Sequence, residues 1–284
     1  MLNLSKRNRI VAALACLMIL CAFTHTIYAD EIDTKYFAHL IFDAKERADF
    51  LPDIHRINPN VSEQILYEIQ KHYVAARLDA GEVIGGFKGG FVPKASVGGV
   101  LFGGDKILGG KPQLQLADFG LLIIEAEIGF RFCETITEPV PSLEKLKTYV
   151  CAIMPVVEVA DGALADFGSI KKNFTHLRNS LIAINVASSH TFVGQSASPS
   201  SPLANLPIVV THDGEKIGER DLAQSFDFWN NLLWIVNDYV LKQGYSIAEG
   251  HFIIAGNLTG IHVAERGEFE ADFGALGKLQ LSVE

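Results

Sequence analysis

The 284-residue sequence is poor in the side chains that build several common kinds of functional site. It contains four cysteines, and no cluster of cysteine and histidine has the spacing of zinc ligands. Acidic residues outnumber basic ones by 33 to 24, and a net charge of −9 does not suit nucleic acid as a partner. Pairs of glycine recur, but none leads into the Gly-Lys-Ser or Gly-Lys-Thr ending of a phosphate-binding loop. Zinc-dependent, nucleic-acid-binding and nucleotide-binding functions are therefore disfavoured.

The first 29 residues have the layout of a secretory signal peptide. Lys6, Arg7 and Arg9 precede an apolar run over residues 10–23, and Ala29 offers a small residue for cleavage. The run is short for a complete membrane span, and an uncleaved anchor is the alternative. We therefore predict export to the periplasm or the medium, with no stable membrane insertion after cleavage. Because the leader carries three basic residues and no acidic one, its removal would change the net charge from −9 to −12.

Two cysteines, Cys133 and Cys151, remain after removal of the predicted leader, because Cys16 and Cys21 lie within it. In an oxidising compartment the two remaining thiols could form a disulfide. Two separate thiols that pack as small apolar side chains are at least as compatible with the sequence. The pairing is therefore left open.

The rest of the chain is typical of an α+β protein with a helical beginning. Residues 30–80 are predicted to be helical, because Asn60 and Glu63 have capping-box spacing and apolar residues follow at helical intervals. Beyond them, short apolar runs alternate with glycine turns, which predicts strands. A further helix is predicted over residues 227–243, ended by Gly244. The predicted organisation has three parts: a leader over residues 1–29, a helical region over 30–80 and a mixed domain over 81–284.

Three glutamates interrupt apolar segments that otherwise have the pattern of buried strands. Glu125 and Glu127 are two residues apart and therefore point to the same face of one strand, while Glu158 lies in a second. Carboxylates held together in an apolar wall need a neutralising partner, and Mg²⁺ or Mn²⁺ with oxygen ligands meets that need. Solvated glutamates at a sheet edge, or a buried glutamate paired with arginine or lysine, are the alternatives. We predict a metal centre formed by the three carboxylates.

The glutamates are part of an ordered set of short motifs that spans much of the chain. The set consists of GFKGG at 86–90, GVLF at 99–102, EAEI at 125–128, PVVEV at 155–159, NVASS at 185–189 and GHFIIAGNL at 250–258. In this order the motifs resemble the 2-keto-4-pentenoate hydratase / 4-oxalocrotonate decarboxylase group of the fumarylacetoacetate hydrolase superfamily. The similarity runs from about Gln64 to the C-terminus, and the glutamate trio is its most specific part.

The resemblance implies a fold, a cofactor and a set of site residues. The fold would be α+β, with the helical N-terminal region followed by a mixed β-sandwich roll with flanking helices. The three glutamates would hold Mg²⁺ or Mn²⁺, and a small 2-oxo acid would chelate the ion. The resemblance also assigns catalytic roles to Lys88 and Ser188 and substrate contacts to Leu101, Phe102 and Asn257. It further implies a homo-oligomer.

The implied activity is that of a hydratase-like lyase that acts on a 2-oxo acid through an enolate. Decarboxylation and acylpyruvate hydrolysis share that chemistry within the superfamily and stay open. Two departures from the family pattern suggest another alternative, an exported homologue that binds metal and carboxylate without turnover. Residues 91–97 contain no acidic side chain that could exchange a proton with Lys88, and this segment is shorter than its counterpart in the family pattern. As a further departure, Asn185 replaces an aspartate.

Overall fold

Helices build the beginning of the described chain. The computed structural model describes residues 32–90, 96–170, 172–222 and 227–284, so the predicted leader lies outside the described residues. The first helices are α1 (Thr34–Glu46), α2 (Ile54–Ile57) and α3 (Glu63–Asp79). The side chain of Ser62 caps α3 by accepting a hydrogen bond from the Ile65 N–H at 3.3 Å.

Shorter helices flank the strands that follow. They are α4 (Leu143–Tyr149), α5 (Phe167–Ile170), α6 (Phe174–Ala183) and α7 (Phe228–Trp234). The predicted helix that ends before Gly244 begins as α7 and continues as a π-helix over Ile235–Leu241. Its apolar face, which includes Leu232 and Val236, is fully buried. Within the described ranges, no helix combines the length and apolar character that a bilayer crossing requires.

The strands form two sheets. They are β1 (Ile84–Gly90), β2 (Val97–Phe102), β3 (Ile107–Leu108), β4 (Gln113–Leu114), β5 (Leu122–Phe132), β6 (Val150–Asp161), β7 (Ser188–Val193), β8 (Pro207–His212), β9 (Glu215–Asp221), β10 (Phe252–Ala255), β11 (His262–Val263), β12 (Gly267–Asp272) and β13 (Lys278–Val283). The larger sheet has the order β2-β1-β10-β5-β6-β7-β3, with β11 paired to β5. The smaller sheet has the order β4-β13-β12-β8-β9. Parallel and antiparallel pairs occur together, which confirms the predicted α+β class.

Strands β5 and β6 form the long antiparallel pair at the middle of the larger sheet. Their pairing runs from Leu122 opposite Asp161 to Phe132 opposite Val150. Apart from Arg131 in β5 and Cys151 in β6, every residue of the two strands is buried, which explains their nearly continuous apolar sequences. Cys133, the residue after β5, forms a disulfide with Cys151 in β6, and their Cα atoms are 5.8 Å apart. The pairing that the sequence left open is therefore a disulfide at one end of this strand pair.

Candidate metal centre

The register of β5 and β6 brings the three glutamates to one point. Glu125 lies directly opposite Glu158 across the pair, and Glu127 lies two residues along β5 on the same face. One carboxylate oxygen from each side chain lies within 4.8 Å of one from each of the others. Glu158 is 1% exposed and Glu127 is 5% exposed, so water can solvate little of the negative charge of their carboxylates. The three carboxylates can therefore share one divalent ion.

Lys88 reaches this point from β1. Its Nζ donates a hydrogen bond to Oε1 of Glu158 and another, 3.0 Å long, to the carbonyl oxygen of Val186. Burial by itself lowers the pKa of this lysine, but the carboxylates of Glu158 and Glu125 outweigh it, and the pKa of Lys88 is raised. Lys88 is therefore positively charged at neutral pH. The structure therefore does not favour a neutral Lys88 that acts as a base.

Asn257 holds two of the glutamates in place. Its backbone N–H donates to Oε1 of Glu127 at 2.6 Å, and its side-chain Nδ2 donates to Oε1 of Glu125 at 2.5 Å. The residue has a φ of 47°, a left-handed conformation that asparagine adopts more readily than most residues. Asn257, a predicted substrate-binding residue, thus lies at the site, and its hydrogen bonds there are to the glutamate side chains.

The surroundings of the trio favour uptake of positive charge. Burial, together with the charge of Glu158, raises the pKa of Glu125 to about 7, although the charge of Lys88 opposes them. Burial, Glu158 and Glu125 together raise the pKa of Glu127 well above its usual value, although the N–H of Asn257 opposes them. Glu125 and Glu127 therefore bind protons more readily than ordinary glutamates do, and a bound cation would compete with those protons.

A divalent cation fits these residues in charge and in ligand atoms. Three carboxylates and one ammonium group carry a net charge of −2, which a dication cancels. Among the described residues, Oε2 of Glu127 and Oε2 of Glu158 are buried without a hydrogen-bond partner. Buried carboxylate oxygens are rarely left unpaired, and hard cations prefer such oxygen ligands. The geometry and the chemistry of the trio thus agree with a Mg²⁺ or Mn²⁺ centre.

A strained turn places a backbone carbonyl beside Lys88. Asn185, Val186 and Ala187 have φ values of 56°, 50° and 59°, and valine rarely adopts this conformation. The Asn185 side chain accepts a hydrogen bond from the Val100 N–H at 2.7 Å and donates one to the Val100 carbonyl at 2.9 Å. An ionised aspartate could not make the second bond. Asn185, which replaces an aspartate of the family pattern, therefore has a structural role: its side chain holds this turn against β2.

The trio, Lys88 and Asn257 lie at the wall of a cavity of about 340 Å³. Such a volume is typical of small-molecule sites. The rest of its lining is mostly apolar, and its large side chains include residues from β5, α5, α6 and the turn that contains Val186. The sequence offered no signal for the Val186 carbonyl, because any residue type can supply a backbone oxygen.

The structure does not bring three of the predicted site residues into this cavity. Leu101 is 1% exposed and packs in an apolar cluster with Met154 and Ile254, further along the same sheet face. Phe102, the next residue in β2, points to the opposite face and lines a second cavity. Leu101 and Phe102 therefore do not line the cavity at the glutamates, and their substrate contacts stay predictions.

Ser188 also lines the second cavity, together with Asp161. The register of β7 shifts between the pairs Val159–His190 and Ala160–Ser188, and this bulge follows the left-handed turn directly. A bulge changes the direction in which neighbouring side chains point. Ser188 lines the second cavity together with His190, two residues along β7, and so does not face the glutamates, although its sequence neighbour Ala187 lines their cavity.

We expect Asn257→Gly to weaken Mn²⁺ binding by about 10- to 100-fold, the usual effect of losing a group that orients a metal ligand. The substitution removes the Nδ2 bond to Glu125, while glycine keeps the left-handed backbone and the N–H that binds Glu127. Titration with Mn²⁺ followed by electron paramagnetic resonance measures the change. Asn205→Gly, at an exposed asparagine with a φ of 62°, is the matched control and should leave the affinity unchanged.

Comparison with known proteins supports the assignment of the fold. No family model matches the sequence. A curated relative, a 4-oxalocrotonate decarboxylase from a Pseudomonas species, is 26% identical over 200 residues, which cover 68% of this chain and 75% of that protein.

Solved structures share the fold at lower sequence identity. The 4-oxalocrotonate decarboxylase from Pseudomonas putida G7, complexed with calcium and acetate, superposes with a TM-score of 0.77 at 19% identity, over 88% of this chain and 97% of that one. Its complex with magnesium and adipate gives a TM-score of 0.75 at 18% identity over the same shares of the two chains. The predicted fold, a mixed roll with flanking helices after a helical beginning, is confirmed. The curated relative and the shared fold together confirm the resemblance to the 2-keto-4-pentenoate hydratase / 4-oxalocrotonate decarboxylase group of the fumarylacetoacetate hydrolase superfamily.

Proposed function

We propose that this chain is a divalent-metal-dependent lyase that acts on a small 2-oxo acid, and that its reaction is the hydration of a conjugated substrate such as 2-hydroxypenta-2,4-dienoate. The observation that carries the proposal is the convergence of three buried glutamates and one buried lysine at the wall of a cavity. Perturbed ionisable groups gathered in a cavity are typical of catalytic sites.

The residues of the site suit the chemistry of a 2-oxo acid. A dication held by the trio would supply the positive charge that stabilises an enolate as it forms. Lys88, protonated because its pKa is raised, adds a second positive charge and can donate a hydrogen bond or a proton to an anionic oxygen. The bond from Nζ to the Val186 carbonyl fixes the position of that donor.

Decarboxylation or acylpyruvate hydrolysis would use the same centre. The curated relative is a decarboxylase, and loss of CO₂ from a 2-oxo acid also passes through an enolate. These reactions are therefore the alternatives within the same proposal, and they differ from hydration in their products.

A non-catalytic role is the second candidate. The acidic side chains that line the cavity within the described ranges are the three glutamates themselves. No acidic residue lies in the segment 91–97 that follows Lys88 closely in sequence. An acid separate from the metal ligands, which could relay a proton, is therefore not among the described lining residues. This observation favours a protein that binds metal and carboxylate.

Assays of the purified protein separate these possibilities. With Mg²⁺ or Mn²⁺ present, we expect the ultraviolet absorbance of 2-hydroxypenta-2,4-dienoate to fall, and chelation of the metal should stop the reaction. Carbon dioxide release from 4-oxalocrotonate and cleavage of acylpyruvates report the alternative activities. Oxalate binding that requires metal, without turnover of any of these acids, would support the non-catalytic candidate and contradict the lyase.

We also propose that the protein is exported. The basic and apolar layout of residues 1–29 and the disulfide between Cys133 and Cys151 support this location, because disulfides persist in oxidising compartments. Mass spectrometry after thiol alkylation tests it. Protein recovered from cells should lack the leader and should bind alkylating reagent at Cys133 and Cys151 only after reduction. A full-length chain in which Cys133 and Cys151 are alkylated without reduction would contradict export.

A homo-oligomer is the assembly that the family resemblance implies, and we propose it for this chain. Light scattering coupled to size-exclusion chromatography measures the mass directly. A mass equal to that of one chain across the accessible concentration range would contradict the proposal.

A further inference from the structure

The cavity at the metal centre has two chemically different parts. One part is polar and consists of Lys88, Asn257 and the three glutamates. The other part is formed by large apolar side chains that come from separate elements of the fold: Ile123, Leu164, Phe167, Leu177, Leu181 and Ile261. A ligand held at the polar part would therefore meet a hydrocarbon surface with the rest of its length.

The apolar part is formed mainly by segments around α5 and α6. Leu164 and Leu177 are 2% and 7% exposed and belong to the core. Phe167 and Leu181 are only partly buried and line the cavity. Apolar surface left partly uncovered inside a cavity gains free energy when a ligand covers it. This surface is therefore suited to an apolar group of a ligand.

The described residues of the lining offer no second positive charge for a ligand. Across the described ranges, Lys88 is the single cation in the lining, and it is already paired with Glu158. Asn231 is the remaining polar side chain there besides Asn257 and the glutamates. A carboxylate at the far end of a ligand would lose its hydration without gaining a counter-ion, which is strongly unfavourable.

We propose that this cavity selects 2-oxo acids that end in an uncharged, apolar tail and discriminates against 2-oxo dicarboxylates. The proposal rests on the proposed function, because it assumes that the 2-oxo acid end of the ligand lies at the metal centre. It goes further by naming Leu177, Leu181 and Phe167 as the residues that set the specificity.

Two acids of equal length test the proposal without any need for turnover. The acids 2-oxohexanoate and 2-oxoadipate share the metal-chelating end and six carbons, but 2-oxoadipate ends in a second carboxylate. Calorimetry with saturating Mg²⁺ should show that 2-oxohexanoate binds at least about tenfold more tightly than 2-oxoadipate. Tenfold is the lower end of the range by which an apolar pocket discriminates between two ligands. Equal affinities, or a preference for 2-oxoadipate, would overturn this proposal and leave the proposed function intact. Failure of both acids to bind would overturn both.

A charged substitution in the apolar wall should reverse the preference. Leu181→Arg places a cation at the cavity, and we expect it to strengthen binding of 2-oxoadipate and to weaken binding of 2-oxohexanoate. Thr175→Arg, at an exposed position of the same helix α6, adds the same charge outside the cavity and should leave both affinities unchanged. An unchanged preference in folded Leu181→Arg protein would contradict the assignment of this wall, and if the variant does not fold, the wild-type comparison decides.

Discussion

Glu127→Gln should reduce the affinity for Mn²⁺ by more than about a hundredfold, since even groups that merely orient a ligand contribute 10- to 100-fold. Glutamine preserves the shape of the side chain and can still accept the hydrogen bond from the Asn257 N–H. It removes one negative charge and replaces an oxygen that is buried and unpartnered in the structure with an amide. Calorimetric titration with Mn²⁺ measures the change, and any metal-dependent turnover should fall with it.

The choice of Glu127 keeps this experiment free of a second effect. Glu158 is ion-paired with Lys88, so its substitution would also leave a buried cation alone. Glu215→Gln, at an exposed position of β9, is the matched control for the loss of one carboxylate. Mn²⁺ affinity that is the same in Glu127→Gln, Glu215→Gln and wild type would show that the trio does not bind the metal.

Lys88→Met should destabilise the metal-free protein by about 3–5 kcal/mol, the usual cost of removing one partner of a buried ion pair. The side chain of Lys88 is 7% exposed and that of Glu158 is 1% exposed, so solvent cannot replace the lost charge. With all three carboxylates ionised, loss of the lysine changes the net charge of the cluster from −2 to −3, and a bound dication offsets more repulsion than before. The melting temperature should therefore rise more on Mg²⁺ addition in Lys88→Met than in wild type.

Chemical denaturation without metal measures the first part of this prediction, and thermal unfolding with and without Mg²⁺ measures the second. Lys35→Met, at an exposed position of α1, is the control for the loss of a lysine and should change the free energy of unfolding little. An equal response of wild type and Lys88→Met to Mg²⁺ would mean that the lysine and the metal do not share the same carboxylates. Turnover should be lost in Lys88→Met even with metal bound, because methionine cannot replace the ammonium group that would donate a hydrogen bond or a proton to the substrate.

The convergence of the three glutamates could be predicted because it depends on simple strand geometry. The spacing of Glu125 and Glu127 fixes a common face in any strand, and the motif around Glu158 placed the third acid in a partner strand. Lys88 followed from its motif, and the structure adds that its charge is shared with the same carboxylates.

Positions near irregular backbone could not be predicted in the same way. Ser188 follows a left-handed turn and lies at a bulge, and a short motif reveals neither the turn nor the register of the strand that follows it. The contacts of Leu101 and Phe102 depend on how far along the sheet the cavity extends, which is a property of tertiary packing. The apolar wall from α5 and α6 was also missed, because apolar residues on a helix predict a core equally well.

The direct pairing of Glu125 with Glu158 constrains which length changes the gene can tolerate. An insertion or deletion of one residue within β5 or β6 would turn one glutamate to the other face of the sheet and separate the ligands. The connection between the strands, which contains α4, lies beyond the disulfide and can change in length without altering the register. Homologues that bind metal should therefore vary in the number of residues between Cys133 and Cys151 while keeping the spacing from each cysteine to its glutamate.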